Sequence, residues 1–113
     1  MPERDADLLI EDILTAIGRI DRYTRGLTHE AFLADEKTID AVVRNLEIIG
    51  EAARRIPASF AAAYPDIPWQ QMAGLRNRIV HDYFGLDLEI IWQIIQGDLP
   101  QLKVRLPLPA APA

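Results

Sequence analysis

Apolar side chains recur at helical spacing in the first part of the chain, from residue 4 to about residue 25. Acidic residues lie near the start of this stretch and arginines near its end, which complements a helix dipole, and Gly26 predicts the helix end. Thr28 is a suitable N-cap for the short helical piece HEAFLAD that follows. The predicted core face of the first helix consists of Leu9, Ile13, Ile17 and Ile20.

A second long helix is predicted over residues 36–56, and Pro57 ends it. Gly50 lies inside this helix, where glycine costs on the order of 1 kcal/mol relative to alanine. We therefore expect another helix to cross closely at Gly50. The stripe predicted to face the core consists of Ile39, Val42, Val43, Leu46, Ile49, Ala53 and Ile56.

Two further helices are predicted between residues 57 and 85. The first is short, over residues 57–64, and the tight connector PDIP follows it. The second runs from residue 69 to about residue 83, where Gly85 breaks it. Its predicted core residues are Met72, Leu75 and Ile79.

The last long helix is predicted to begin after Asp87, a good N-cap, and to kink or end near Gly97 and Pro100. Together these elements predict an all-α fold, an up-and-down bundle of four to five main helices in a single domain over residues 1–106. Residues 107–113 are expected to form a proline-rich flexible tail. The core positions of the last helix are Leu88, Ile91, Trp92, Ile95 and Leu99, with Leu102 and Leu106 continuing the face.

Composition and charge narrow the choice of partners. The N-terminus is acidic and no apolar stretch approaches the ~20 residues of a membrane span, so we expect a soluble, cytoplasmic protein with no membrane partner. The net charge of −5 restricts any contact with nucleic acid to a local patch. Ten of the twelve basic residues are arginine, which suits two-point contacts to phosphate, although a GC-rich genome would also favour arginine.

One polar segment, LRNRIVHDYFGLD over residues 75–87, is not explained by the apolar pattern. On an ideal helix Asn77 and His81 share a face, whereas Arg76 and His81 are about 140° apart around the axis. Only a long arginine side chain or a loosened helix would bring both to one ligand. In the alternative interpretation Arg76 and Arg78 form a solvated face and His81 is a capping or core histidine.

Two glutamates one turn apart, Glu47 and Glu51, are the other candidate cluster. They are spaced to hold a metal, but no histidine accompanies them on the helix, and the chain has no cysteine. We therefore assign no metal and no cofactor. Both glutamates are instead expected to be solvated or to orient an arginine of the polar segment, and Glu51 is spaced to pair with Arg55 four residues on.

The polar segment resembles a motif of HepT-like HEPN-domain proteins. Arg76, four intervening residues, His81, one residue and Tyr83 match their R-x4-H-x-Y pattern, with Asn77 as the polar residue that often follows the arginine. Two longer blocks also look like that family: RNLEIIGEAARRIP over residues 44–57 and WQQMAGLRNRIVHDYFGLD over residues 69–87. The similarity spans nearly the whole chain.

This resemblance implies an all-α homodimer in which the two motifs meet as a metal-independent ribonuclease. Such proteins are the toxins of type VII-like toxin–antitoxin pairs. Their partner, an MNT-type nucleotidyltransferase, neutralises the toxin by transferring AMP to the motif tyrosine, here Tyr83. The expected substrate is RNA, and the sequence shows no departure from the motif.

The chemistry of RNA cleavage suggests a role for each residue of the motif. Arg76 and His81 are the predicted catalytic residues, the first holding phosphate and the second transferring protons. Asn77 orients His81 or the substrate, and Tyr83 contacts the substrate when unmodified. Arg78 is a weaker candidate for contacting RNA away from the scissile bond, or the antitoxin.

Three alternatives remain open at this point. Tyr83 is also suited to packing against Trp69 or at a dimer interface. A second alternative is that the protein as a whole is a non-catalytic nucleotide-binding or interaction subunit of a nucleotidyltransferase complex. A helical dimer that serves only for interaction is the third possibility.

Overall fold

The computed structural model describes residues 5–81 and 85–107, with His81 described through its backbone alone. The predicted all-α bundle is confirmed, although it consists of two long helices and several shorter ones, with one two-residue β-ladder. In chain order the elements are α1 (Ala6–Thr24), α2 (His29–Leu33), α3 (Glu36–Arg55), α4 (Ala58–Ala63), α5 (Trp69–Ala73), α6 (Leu75–Ile79), β1 (Val80–His81), β2 (Gly85–Leu86), α7 (Leu88–Gln93), a π-helical segment (Ile94–Asp98) and α8 (Leu99–Arg105).

The core lies mainly between α1 and α3, which share the most extensive interface in the described part of the molecule. Helices α5 and α6 pack on α3, and α8 closes against α1. The aliphatic stripes predicted for the two long helices are buried, apart from Val43, which is partly exposed. Leu88 and Trp92 of the last helix are likewise only partly buried. No helix in the described ranges has the length and apolar character needed to span a membrane.

Side chains cap the N-termini of four described helices, among them α1, which Asp5 caps. Thr28 accepts a hydrogen bond from the Ala31 backbone N–H (3.1 Å) and Asp87 accepts one from that of Ile90 (3.1 Å), as predicted for both. Asp35 caps α3, and hydrogen bonds from the side chain and backbone of Thr38 lower the pKa of its carboxyl group. Because this pKa is lowered on folding, the cap stabilises the fold above the ordinary carboxyl pKa and is lost as the pH falls through the lowered value.

The close crossing expected at Gly50 is present. Gly50 is buried in α3, and a Cβ atom placed on it would lie 3.2 Å from the Met72 carbonyl oxygen of α5. One helical turn further on, the Arg54 guanidinium donates to the carbonyl oxygen of Ala73 (3.2 Å). These two contacts hold the backbone of α5 directly against α3.

The single helix predicted over residues 69–83 is wrong. Gly74 interrupts it between α5 and α6, and helical structure ends at Ile79. Val80 is extended, and the chain pairs antiparallel with Gly85 and Leu86, so the turn of helix that would have carried His81 is replaced by a ladder. The Asp87 backbone N–H also donates to the Ile79 carbonyl (2.7 Å), which satisfies a carbonyl at the end of α6.

The irregularity predicted near Gly97 and Pro100 takes the form of the π-helical segment, after which α8 continues to Arg105. Pro100 lies in the first turn of α8, directly after the π-helical segment. Leu102 and Leu106 are buried, as expected for a continued apolar face. Apart from residue 107, the predicted tail lies outside the described residues.

The Gly50 crossing predicts opposite effects for two helical glycines. Gly50→Val should lower the free energy of unfolding by about 1–3 kcal/mol, because the new side chain meets the α5 backbone. Gly18→Ala in α1 should raise it by up to about 1 kcal/mol, because a Cβ there has no atom within 4 Å among those described and alanine favours the helix. Urea denaturation at one protein concentration measures both variants, and equal effects would contradict the close crossing.

Candidate nucleic-acid interface

Arg76 lies on the exposed side of α6 and lines an open groove of about 580 Å³. Leu75 and Ile79, on the other side of the same short helix, are buried in the core. This division of α6 into an apolar and a polar face determines which way Arg76 projects. Among the described residues, no carboxylate lies within salt-bridging distance of its guanidinium, which is therefore free to bind an anion.

The opposite wall of this groove is the polar face of α3. It contributes three more arginines, so that four of the ten arginines of the chain line one groove. Three carboxylates also line the groove, so the four arginines leave it with a formal charge of about +1, in a protein whose net charge is −5. The charged residues that line the groove are Asp12, Arg44, Glu47, Glu51, Arg54, Arg55 and Arg76.

Glu51 is the centre of a small ion-pair network in the groove. Its carboxylate accepts from Arg54 (3.0 Å) and from Arg55 (3.2 Å), the second being the pair expected from sequence. No direct contact between Glu51 and an arginine of residues 75–87 is present among the described atoms. Glu51 is linked to the polar segment only indirectly, because its partner Arg54 also donates to the carbonyl oxygen of Ala73, two residues before Leu75.

Arg78 does not line the groove of Arg76 but a different cavity of about 260 Å³. Its guanidinium pairs with the carboxylate of Asp98 in the π-helical segment (3.3 Å). Arg105 and Asp66 line the same cavity, so its formal charges cancel. Arg78 therefore already has an anionic partner, unlike Arg76.

Asn77 is exposed on α6 between the two arginines. Its expected position on the same helical face as His81 is wrong, because α6 ends at Ile79 and His81 belongs to β1. The 140° separation calculated for Arg76 and His81 on an ideal helix fails for the same reason. His81 pairs through its backbone with Gly85, and its side chain, like residues 82–84 with Tyr83 among them, lies outside the described residues.

Arg44 and Arg54 were not predicted from the sequence to be part of the site. Both are exposed residues of α3 that line the Arg76 groove. Together with Glu47 and Glu51 they form a polar stripe on the side of α3 opposite its apolar stripe. This polar stripe is the sequence pattern from which they could have been predicted. The other histidine, His29, lies elsewhere, stacked on Trp92 with ring centroids 5.4 Å apart.

The part of the chain that the structure describes contains no cluster of three or more histidine, cysteine, aspartate or glutamate side chains arranged to hold a metal ion. Glu47 and Glu51 line the groove without a third ligand from the described residues. The groove is instead defined by its arginines.

The chain is similar to known proteins over most of its length. A probable ribonuclease HepT from Thermococcus cleftensis is 47% identical over 94 residues, which cover 83% of this chain and 86% of that protein. A putative RNase from Methanocaldococcus jannaschii is 43% identical over 88% of this chain and 83% of its own length. A putative RNase from Caldanaerobacter subterraneus is 36% identical over 83% and 84%, respectively. No solved structure matches the chain.

The family model described as Ribonuclease HepT-like matches residues 13–107. This range contains α3, which forms one wall of the groove, and the whole of the R-x4-H-x-Y motif. The arginine groove and the motif beside it are therefore features of a chain that belongs to the HepT-like family.

Proposed function

We propose that this protein is a metal-independent RNA endonuclease and the toxin of a type VII-like toxin–antitoxin pair. The observation that carries the proposal is the guanidinium of Arg76, which lies in an arginine-lined groove and has no carboxylate partner among the described residues, in a chain whose motif matches that of the family. A guanidinium without a carboxylate partner is suited to hold a phosphodiester through two-point hydrogen bonds. The names of the relatives, ribonuclease and RNase, support the same activity.

The proposed reaction is an attack of a ribose 2′-oxygen on the adjacent phosphorus. The O2′–P bond forms and the P–O5′ bond breaks, which leaves a 2′,3′-cyclic phosphate and a 5′-hydroxyl. One imidazole takes the proton of the 2′-hydroxyl, and an imidazolium gives a proton to the departing 5′-oxygen. Arg76 stabilises the charge that develops on the phosphoryl oxygens. Asn77, exposed beside it, orients His81 or the RNA.

The two proton transfers are the reason for a homodimer. One imidazole cannot be neutral and protonated at the same instant, and His81 is the only histidine of the motif. A two-fold axis would bring a second His81 and a second Arg76 to the same cleft. Val80, which precedes His81, is an aliphatic residue exposed in β1, and this is consistent with a contact between subunits.

His81→Ala should abolish the activity. Expressed without the partner, the wild type should arrest growth and fragment RNA, whereas His81→Ala should be harmless. Purified wild type should cut RNA in the presence of EDTA and leave 2′,3′-cyclic phosphate ends. His29→Ala is the matched control, because His29 stacks on Trp92 away from the motif, and it should remain active. Harmless expression of both wild type and His81→Ala would instead favour a non-catalytic binding role.

The same variant tests whether two subunits share the site. When wild type is mixed with excess His81→Ala and the subunits exchange, the activity per wild-type subunit should fall to the value of pure wild type multiplied by the fraction of wild-type subunits. The reason is that a mixed dimer lacks one of the two imidazoles. Constant activity per wild-type subunit would show that each subunit works alone.

Neutralisation by AMP transfer is the second part of the proposal. A partner MNT-type nucleotidyltransferase would join the phenolic oxygen of Tyr83 to the α-phosphorus of ATP, with release of pyrophosphate and the phenolic proton. The added nucleotide brings bulk and negative charge within two residues of His81. Both would exclude an RNA phosphate from the cleft.

Tyr83→Phe should remain an active toxin but escape modification by the partner. The chain offers two control tyrosines, Tyr23 and Tyr64, each about 40% exposed. Tyr23→Phe and Tyr64→Phe should still gain the mass of an AMP group when incubated with the partner and ATP, and should lose RNA cleavage as they gain it. AMP transfer to Tyr83→Phe, with loss of its activity, would assign the modification to another residue.

Glu51 is proposed as a positioning residue that acts through Arg54 on the backbone before α6. Glu51→Ala should lower kcat by about tenfold without raising KM, because Arg76 is less well placed while the groove loses a negative charge. The free energy of unfolding should change by less than about 1 kcal/mol, since the ion pairs are exposed.

Two variants test that role further. Glu51→Gln retains an acceptor for Arg54 and should recover most of the kcat. Asp21→Ala removes an exposed pair of the same i, i+4 type with Arg25, outside the groove, and should leave both kinetic constants unchanged. A kcat of Glu51→Ala equal to that of the wild type would remove Glu51 from the site.

A further inference from the structure

The charged side of α3 forms a long wall of the groove that Arg76 lines. Arg44, Glu47, Glu51 and Arg55 follow one another at intervals of three or four residues, so they form one stripe along the helix. From Arg44 to Arg55 the helix rises about 16 Å. The groove is therefore long enough to receive more than the single phosphate that is cut.

The arginines along this stripe differ in what they bind within the protein. Arg54 and Arg55 share the carboxylate of Glu51, which neutralises much of their charge. Arg44 is exposed, and among the described residues it has no carboxylate within salt-bridging distance. Arg44 and Arg76 are thus the two groove arginines whose guanidinium groups remain available to a ligand.

The second cavity beside α6 provides a comparison within the molecule. There Arg78 is held by Asp98, and the two arginines of the lining are matched by two aspartates. In the groove between Arg76 and α3, here called the α3 groove, the arginines outnumber the carboxylates by four to three. Arg76 and Arg78 of α6 line one cavity each, and of these two cavities the α3 groove is therefore the one whose lining has an excess of positive charge.

We propose that the α3 groove binds the phosphodiester backbone of single-stranded RNA beside the scissile bond, and that Arg44 contacts one of its phosphates. The inference rests on the proposed nuclease function and adds a binding subsite to it. An acidic protein cannot attract RNA over its whole surface, so affinity depends on such local contacts. Arginine provides them by two-point hydrogen bonding.

For Glu47 we expect an effect on RNA binding opposite to that of Arg44. It lies one turn from Arg44 in the same groove, and the two make no ion pair within 4 Å in the described structure. If a phosphate occupies the groove, Glu47 repels it. Removing this charge should therefore strengthen binding, an effect that loss of a merely structural residue would not produce.

The test measures binding without cleavage. A fluorescently labelled 2′-O-methyl RNA strand has no free 2′-hydroxyl and cannot be cut by the proposed route, so the otherwise intact protein can be titrated against it at several salt concentrations. Arg44→Gln should weaken binding by about three- to tenfold and reduce the slope of log affinity against log salt by about 0.7. Glu47→Gln should tighten binding by about two- to threefold.

Arg22→Gln is the matched control, because it makes the same charge change on an exposed arginine of α1 outside the groove. It should leave the affinity unchanged. Equal weakening by Arg44→Gln and Arg22→Gln, or no measurable binding by the wild type, would overturn the subsite. So would a change in sedimentation of Arg44→Gln, which would place Arg44 in a contact between subunits.

The outcomes also separate this inference from the proposed nuclease function. RNA cleavage by the wild type, together with an affinity that does not depend on Arg44, would leave the nuclease intact and remove the subsite. Binding that depends on Arg44, in a protein that cuts no RNA, would establish the subsite and remove the nuclease function.

Discussion

The close approach of α3 and α5 is the contact on which the arrangement of the groove depends. Gly50 lets the α5 backbone come within van der Waals distance of α3, and no larger residue fits there without a shift. Arg54, one turn later, bonds the last carbonyl of α5. Because α6 follows α5 after a single residue, the same crossing sets where Arg76 stands relative to the arginines of α3. Core packing and site geometry are therefore one constraint.

Most of the helical fold could be predicted from the sequence because its signals are local. The apolar stripes of α1 and α3 repeat at the period of the helix, and Thr28 and Asp87 have side chains that cap a helix whatever surrounds them. The close helix crossing at Gly50 could also be predicted, since glycine destabilises a helix and is expected inside one only where another element comes close.

The end of α6 could not be predicted in the same way. Leu75 and Ile79 keep the helical period up to the last residue of α6, and nothing in this apolar pattern marks Ile79 as the end of the helix. What ends it is pairing with Gly85 and Leu86 and the hydrogen bond from Asp87, both of which depend on residues further along the chain. The groove was missed for a related reason. Arg44 and Arg76 are 32 positions apart, and only the packing of α5 and α6 on α3 brings them to one cavity.

The short β-ladder joins the two chain segments on either side of positions 82–84. Residues 80 and 86 are paired, as are 81 and 85, and the Asp87 N–H closes on Ile79 behind them. His81 and Gly85 are therefore held opposite each other. The backbone contacts that anchor the end of α6 and the start of α7 at this point involve residues 79–81 and 85–87. A change of sequence at positions 82–84 therefore leaves these anchoring groups of the backbone unaltered.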